Sequence, residues 1–144
     1  MTAEETEHFQ IGEVAAATGL SVKTIRHYGD VGLVTPSARS TGGFRLYTHT
    51  DIDRLLVIRR MKPLGFTLDD MGALLAAQDT LALSDADDHE RRAALATISE
   101  FRGRAETACR TLERQVEYAR ELVDQLADHV SACLLYTSDA ADEE

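Results

Sequence analysis

Cysteine is scarce in this 144-residue chain: only Cys109 and Cys133 are present. They are too few and too isolated for a disulfide framework or a CxxC zinc site, so a reducing compartment, the cytoplasm, is expected. No stretch approaches the roughly 18 apolar residues that span a bilayer, and no basic segment near the start leads into an apolar one. Neither a membrane span nor a secretory signal is therefore expected. A convergent set of reactive groups is lacking too. The histidines are scattered, no Ser or Cys partners them, and there is no glycine-rich phosphate loop, so neither catalysis nor a cofactor is expected. Basic charge is short overall, 15 Lys and Arg against 25 Asp and Glu, for a net charge of −10. That balance alone argues against a polyanionic partner, because neutralising phosphates demands cations.

The average conceals an asymmetry. Between Gln10 and Phe66 stand eight basic residues (Lys23, Arg26, Arg39, Arg45, Arg54, Arg59, Arg60, Lys62) against four acidic ones (Glu13, Asp30, Asp51, Asp53), a local balance of +4 that leaves −14 for the remainder. Such a division is expected where one segment meets a polyanion and another faces solvent. The length allows one small core with an extended appendage, not two full cores.

Met1 to His8 are polar, acidic and unpatterned, and are read as an arm. Ile11, Val14 and Ala15 then follow the i, i+3, i+4 spacing of an amphipathic helix that Gly19 ends. Ser21 is a good N-cap for a second helix from Val22 to about Gly29, with Val22, Ile25 and Tyr28 as its inward candidates. Two short helices joined through Gly-Leu-Ser form a helix-turn-helix candidate. Thr41-Gly42-Gly43 followed by Phe44-Arg45-Leu46-Tyr47 reads as a small hairpin. Thr50 is expected to cap a third helix from Asp51 toward Met61, carrying an apolar stripe of Ile52, Leu55, Leu56 and Ile58 and closed by Pro63 and Gly65. Thr67 starts a fourth helix with acids in its first turn, ending near Ala77.

From Ser84 onward there is no proline. Leu95, Ile98, Arg102, Ala105, Cys109, Leu112, Val116, Ala119, Val123, Leu126 and Val130 alternate spacings of three and four, a heptad seam over about five repeats. A helix of about 45 residues, roughly 70 Å long, cannot bury that stripe against so small a core and needs a partner helix. Arg102 is the polar seam position and Gly103 a weak point in the helix. The dimerisation helix is assigned to 84–132. Residues 133–144 break the heptad, and Cys133 to Glu143 resemble the conceptual translation of a transposase-type sequencing adaptor; this tail is expected to be non-native.

The segments Phe9-Gln-Ile-Gly-Glu-Val-Ala, Leu20-Ser-Val-Lys-Thr-Ile-Arg-His-Tyr, Gly32-Leu-Val, Gly43-Phe-Arg-Leu-Tyr47, Asp51-Ile-Asp-Arg-Leu and Leu64-Gly-Phe-Thr-Leu-Asp-Asp70, in that order, resemble the MerR family of winged helix-turn-helix regulators over about residues 9–78. The resemblance implies a mainly α fold, a winged helix-turn-helix DNA-binding domain followed by a long helix that forms an antiparallel coiled coil. It further implies a homodimer that binds double-stranded, pseudo-palindromic promoter DNA and distorts it, acting on RNA polymerase through the DNA. By resemblance Arg26 and Tyr28 grip the DNA backbone. Phe44 stands where the family usually has Tyr, and Gly29 where it usually has Glu.

From the residues themselves, the outward side chains of the second helix, Lys23, Thr24, Arg26, His27 and Tyr28, are those able to reach phosphates or base edges, with Lys23, Thr24 and His27 favoured for sequence reading. Packing beneath the wing is the alternative for Tyr28. In the hairpin, Arg39, Arg45 and Tyr47 are candidates for the flanking backbone or minor groove, Gly43 for the turn, and Lys62 for one more phosphate. Leu95, Ile98, Ala105, Cys109, Leu112, Val116, Ala119, Val123, Leu126 and Val130 are the dimerisation candidates. Cys109 is read as seam packing, with a redox pair across the dimer as the lesser reading. In an antiparallel pairing centred near Leu112, Asp85, Asp87, Asp88 and His89 would approach the partner's His129. Acids at a helix start are already explained by the macrodipole, so no metal is assigned. The competing function is a protein-interaction module that uses the coiled coil and carries a vestigial helix-turn-helix.

Overall fold

The computed structural model describes residues 7–142, with side chains through Tyr136. The fold is mainly helical. Its elements, in order, are β1 (Phe9–Gln10), α1 (Ile11–Thr18), α2 (Val22–Asp30), β2 (Ala38–Arg39), β3 (Arg45–Tyr47), α3 (His49–Met61), a 3₁₀ turn (Lys62–Leu64), α4 (Leu68–Ala82) and α5 (Asp88–Asp142). The chain divides into two units, one through Ala105 and one from Glu106.

Local chemistry accounts for most boundaries. Ser21 Oγ accepts the Thr24 N–H at 3.0 Å and opens α2, as its N-cap role requires. Thr67 Oγ1 accepts from the Asp70 N–H at 3.1 Å while the Asp70 carboxylate accepts from the Thr67 N–H at 3.0 Å, a reciprocal capping box. The same device corrects the start of α3. Thr48, not Thr50, is the cap: its hydroxyl accepts from Asp51 N–H at 3.2 Å, and Asp51 Oδ2 accepts from Thr48 N–H at 2.9 Å. Asp51 lies three residues after Thr48, where it can reach back to the cap. Immediately after Thr50 it could not.

Two helix limits also move. α4 continues to Ala82 rather than ending near Ala77, and its added turn carries Asp79, which pairs with Arg54 on α3. α5 begins at Asp88, not Ser84, because Asp87 Oδ1 takes the Glu90 N–H at 2.7 Å and acts as the cap. At its other end α5 runs past Ala132 to Asp142; Glu143 and Glu144, the end of the assigned tail, lie outside the described residues.

The hairpin β2–β3 is as expected, but β3 also pairs with β1, for which the sequence carried no expectation. The sheet order is β1-β3-β2, antiparallel throughout, with Phe9 opposite Tyr47, Gln10 opposite Leu46, and Arg39 opposite Arg45. β1 leads directly into α1, so the sheet ties the wing to the start of the first helix.

The core of the first unit gathers Val14 from α1, Ile25 and Tyr28 from α2, Tyr47 from β3, Leu55, Ile58 and Met61 from α3, Met71 and Leu75 from α4, and Phe101 from α5. Ile52, placed in the stripe from sequence, is half-buried beside them, and Leu56 is likewise half-buried. Arg59 Nη1 donates to the Thr18 carbonyl at 2.7 Å and holds the end of α1 to α3. The start of α5 is fastened by a clasp the sequence did not announce. Arg104 donates both terminal nitrogens to Asp70, at 3.2 and 2.9 Å, and its guanidinium lies 4.9 Å from the Phe66 ring centre and 5.0 Å from that of Phe101. The two rings meet edge-on at 5.6 Å. This bidentate, charge-assisted pair holds the Asp70 carboxyl down at about 2, chiefly through the Arg104 hydrogen bonds and next through the Thr67 N–H.

In the second unit, every side chain described from Cys109 to Tyr136 is exposed. Half or more of the surface of Val116, Val123, Leu126 and Val130 is open to solvent.

Candidate nucleic-acid interface

Three pieces of chain converge on one face of the first unit: the start of α1, the outer side of α2, and the β2–β3 wing. Between them lies a cleft of about 270 Å³ lined by Gln10, Ile11, Gly12, Arg26, Arg39, Gly43, Phe44 and Arg45. Three guanidinium groups thus face one concavity beside the N-terminus of a helix, where backbone N–H groups and the helix dipole favour anions.

Lys23, Arg26 and His27 are exposed on α2, and Lys62 is exposed on the 3₁₀ turn. In the wing, Arg39 Nη1 donates to the Gly43 carbonyl at 3.1 Å across the turn. Gly43 itself has φ 81°, a conformation that a Cβ would strain. Phe44 at the tip is 70% exposed, an apolar surface that solvent does not favour and a grooved partner would cover.

Arg45 is seated rather than free. Its Nη2 lies 3.5 Å from Asp30 Oδ1 at the end of α2, and its Nη1 is buried with no hydrogen-bond partner. A Cβ at Gly29 would come within 3.3 Å of that nitrogen and 3.6 Å of the Val34 carbonyl. Glycine at 29 therefore makes room for the wing arginine against α2.

Three of the candidates for DNA contact do not face outward, and of the two readings of Tyr28 the packed one holds. Tyr28 is 3% exposed and Tyr47 is fully buried; both rings belong to the core. The Tyr47 hydroxyl has no partner there. Thr24 is half-buried, and its hydroxyl accepts from Ser21 Oγ at 2.8 Å, so it serves the cap. Gln10 and Gly12 were absent from the sequence-based set; the pairing of Gln10 with Leu46 in β3 brings them to the cleft. Among the described residues no group of three or more His, Cys, Asp or Glu is placed to hold a metal, and no helix is long and apolar enough to cross a membrane.

Residues 9–78 match the family described as MerR HTH family regulatory protein. The chain is 36% identical over 123 residues to the uncharacterized HTH-type transcriptional regulator PA4778 of Pseudomonas aeruginosa, covering 85% of this chain and 83% of that one. It is 46% identical over 67 residues to the HTH-type transcriptional activator TipA of Streptomyces coelicolor; that match covers 46% of this chain, which spans only 26% of TipA. Among solved structures, HiNmlR, a MerR family regulator lacking the sensor domain and bound to promoter DNA, superposes with a TM-score of 0.61 at 21% identity, covering 84% of this chain and 89% of that one. The last likeness establishes the fold.

Proposed function

The chain belongs to the MerR family of helix-turn-helix transcriptional regulators, which are not enzymes, and from that membership we propose that it acts as a homodimer on a pseudo-palindromic promoter, distorting the DNA to control transcription initiation. RNA polymerase is then reached through the DNA and not through a protein contact, and the site of action is the cytoplasm. The DNA-binding domain occupies 9–78, the dimerisation helix runs within 84–132, and residues 133–144 take no part.

The observation that carries this reading is the arginine-lined cleft between wing and recognition helix. Arg26, Arg39 and Arg45 meet backbone phosphate, and Lys23 and His27, exposed one turn apart on α2, reach base edges in the major groove. Lys62 adds a phosphate on the flank. A chain of net charge −10 binds DNA because this local field, not the average, faces the duplex.

A footprint and a salt series on the promoter of its own gene test the reading, with Arg26→Ala and Arg45→Ala beside the wild type. A protected palindrome is expected, with hypersensitivity at its centre. Log affinity should fall steeply with log salt, and Arg26→Ala should make that slope shallower by about one. No protection at low salt by a dimeric protein would overturn the reading in favour of a protein-interaction module.

A further inference from the structure

The two arginines of the wing are neighbours of like charge. Arg39 stands directly opposite Arg45 across β2 and β3, a placement that costs stability unless something offsets it. Arg26 of α2 lines the same cleft, and none of the residues lining it is acidic. Each wing cation has its own tether. Arg39 is turned back onto the Gly43 carbonyl at 3.1 Å, and Arg45 is turned toward α2, where Asp30 Oδ1 lies 3.5 Å from its Nη2.

Asp30 occupies a position that local chemistry disfavours. It is the last residue of α2, where the helix dipole favours cations over anions, and it sets a negative charge beside a surface that is to meet a polyanion. The contact with Arg45 is what offsets both. It also confines the guanidinium from two sides. Nη1 is buried against α2, 3.3 Å from where a Cβ at Gly29 would stand, and Nη2 faces the carboxylate, while the side chain keeps 24% of its surface open and lines the cleft.

Two effects of the carboxylate compete when DNA arrives. It repels phosphate, and it orders a long side chain beforehand, so that binding need not. The repulsion reaches through solvent, because Asp30 is 69% exposed, and salt screens it. The gain from ordering is entropic and unscreened, and arginine is among the side chains with most rotamer freedom to lose. Ordering therefore prevails. We infer that Asp30 is a positioning residue for DNA binding: its carboxylate holds the Arg45 guanidinium in the cleft before the duplex arrives and lets two like-charged residues lie side by side in the wing. This rests on Arg45 meeting backbone phosphate, as proposed above, and adds the residue that prepares it.

Titration of the full chain onto a duplex spanning the promoter of its own gene, read by fluorescence anisotropy, tests it with the wild type, Asp30→Asn, Arg45→Ala and the double variant. Asp30→Asn should weaken binding about three- to tenfold, with the salt slope unchanged because every cation is still present. In the Arg45→Ala background the same change should cost nothing, or strengthen binding slightly by removing an acid. Asp30→Ala serves as a second variant, and circular dichroism checks the helices of each. NMR of the Arg45 guanidinium without DNA gives an independent reading: its rotation about the Nε–Cζ bond should be slower in the wild type than in Asp30→Asn. Binding by Asp30→Asn as tight as wild type or tighter, an equal loss in both backgrounds, or unchanged Arg45 dynamics overturns the inference and leaves the DNA-binding reading standing. A wild type that binds no duplex at low salt overturns that reading, and this inference with it.

Discussion

The two units of this chain bury their apolar residues on different terms. In the first, each helix carries its stripe to a shared core, and Leu55, Ile58 and Val14 are fully buried without any other chain. In the second, the apolar residues are as regularly spaced and remain in solvent. An amphipathic pattern specifies that a face must be covered, not what covers it. The first unit is stabilised by its own contacts, whereas the second, if it pairs as proposed, should gain stability by association and respond to protein concentration.

The contrast is broken most severely from inside the first unit. Leu55→Ala removes a fully buried side chain and should cost about 2–5 kcal/mol, measured by chemical denaturation; a loss no larger than that of Leu126→Ala at a concentration that dissociates the dimer would erase the distinction. Dilution sharpens it. Through the dimer dissociation range, circular dichroism should lose helical signal assigned to α5 while tyrosine near-UV signal from Tyr28 and Tyr47 persists; parallel loss of both would join the units into one cooperative block. A smaller effect is expected at the clasp. Because the Asp70 carboxyl is lowered from 3.8 to about 2, its contribution is complete above its ordinary range and is lost as pH falls through about 2. Arg104→Ala should move the Asp70 titration, followed by carbon-detected NMR, back up toward 3.8 and flatten the acid dependence of stability below pH 4; an unmoved titration would remove Arg104 as the cause. The smallest effect belongs to Tyr47→Phe. Its hydroxyl is buried without a partner, so deleting it should leave DNA affinity unchanged and stability equal or higher by up to about 1 kcal/mol, whereas a several-fold loss of affinity would return Tyr47 to the DNA face.

These outcomes also mark what the sequence could reveal. The caps Ser21, before an apolar-periodic run, and Thr67, with an acid three residues on, were readable because the signal is local. Thr48 and Thr50 both precede Asp51, and only the reach-back geometry decides between them. The end of α4 was missed because Gln78-Asp79-Thr80 has loop-like composition, and the Arg54–Asp79 pair that joins that turn to α3 is a tertiary fact. Lys23, Arg26 and His27 were legible as outward, since charge has no cheaper place to go. Tyr28 was left between core packing and the DNA face, and Tyr47 was placed on the DNA face, because a tyrosine fits either side of a helix or strand until the covering layer is known. Phe101 escaped notice because a search for a heptad selects Arg102 beside it, and its burial depends on Phe66 arriving from the connection before α4.

Asp51 has a last consequence. One of its carboxylate oxygens, Oδ2, accepts both the Thr48 N–H and, at 2.6 Å, the Ser37 hydroxyl, so a single atom closes α3 and anchors the chain entering the wing. Asparagine can place one carbonyl oxygen in the same spot, and glutamate, a methylene longer, cannot do so without displacing one donor. In a saturation library the position should accept an alphabet of two letters, aspartate and asparagine, while its exposed neighbour Asp53 drifts freely.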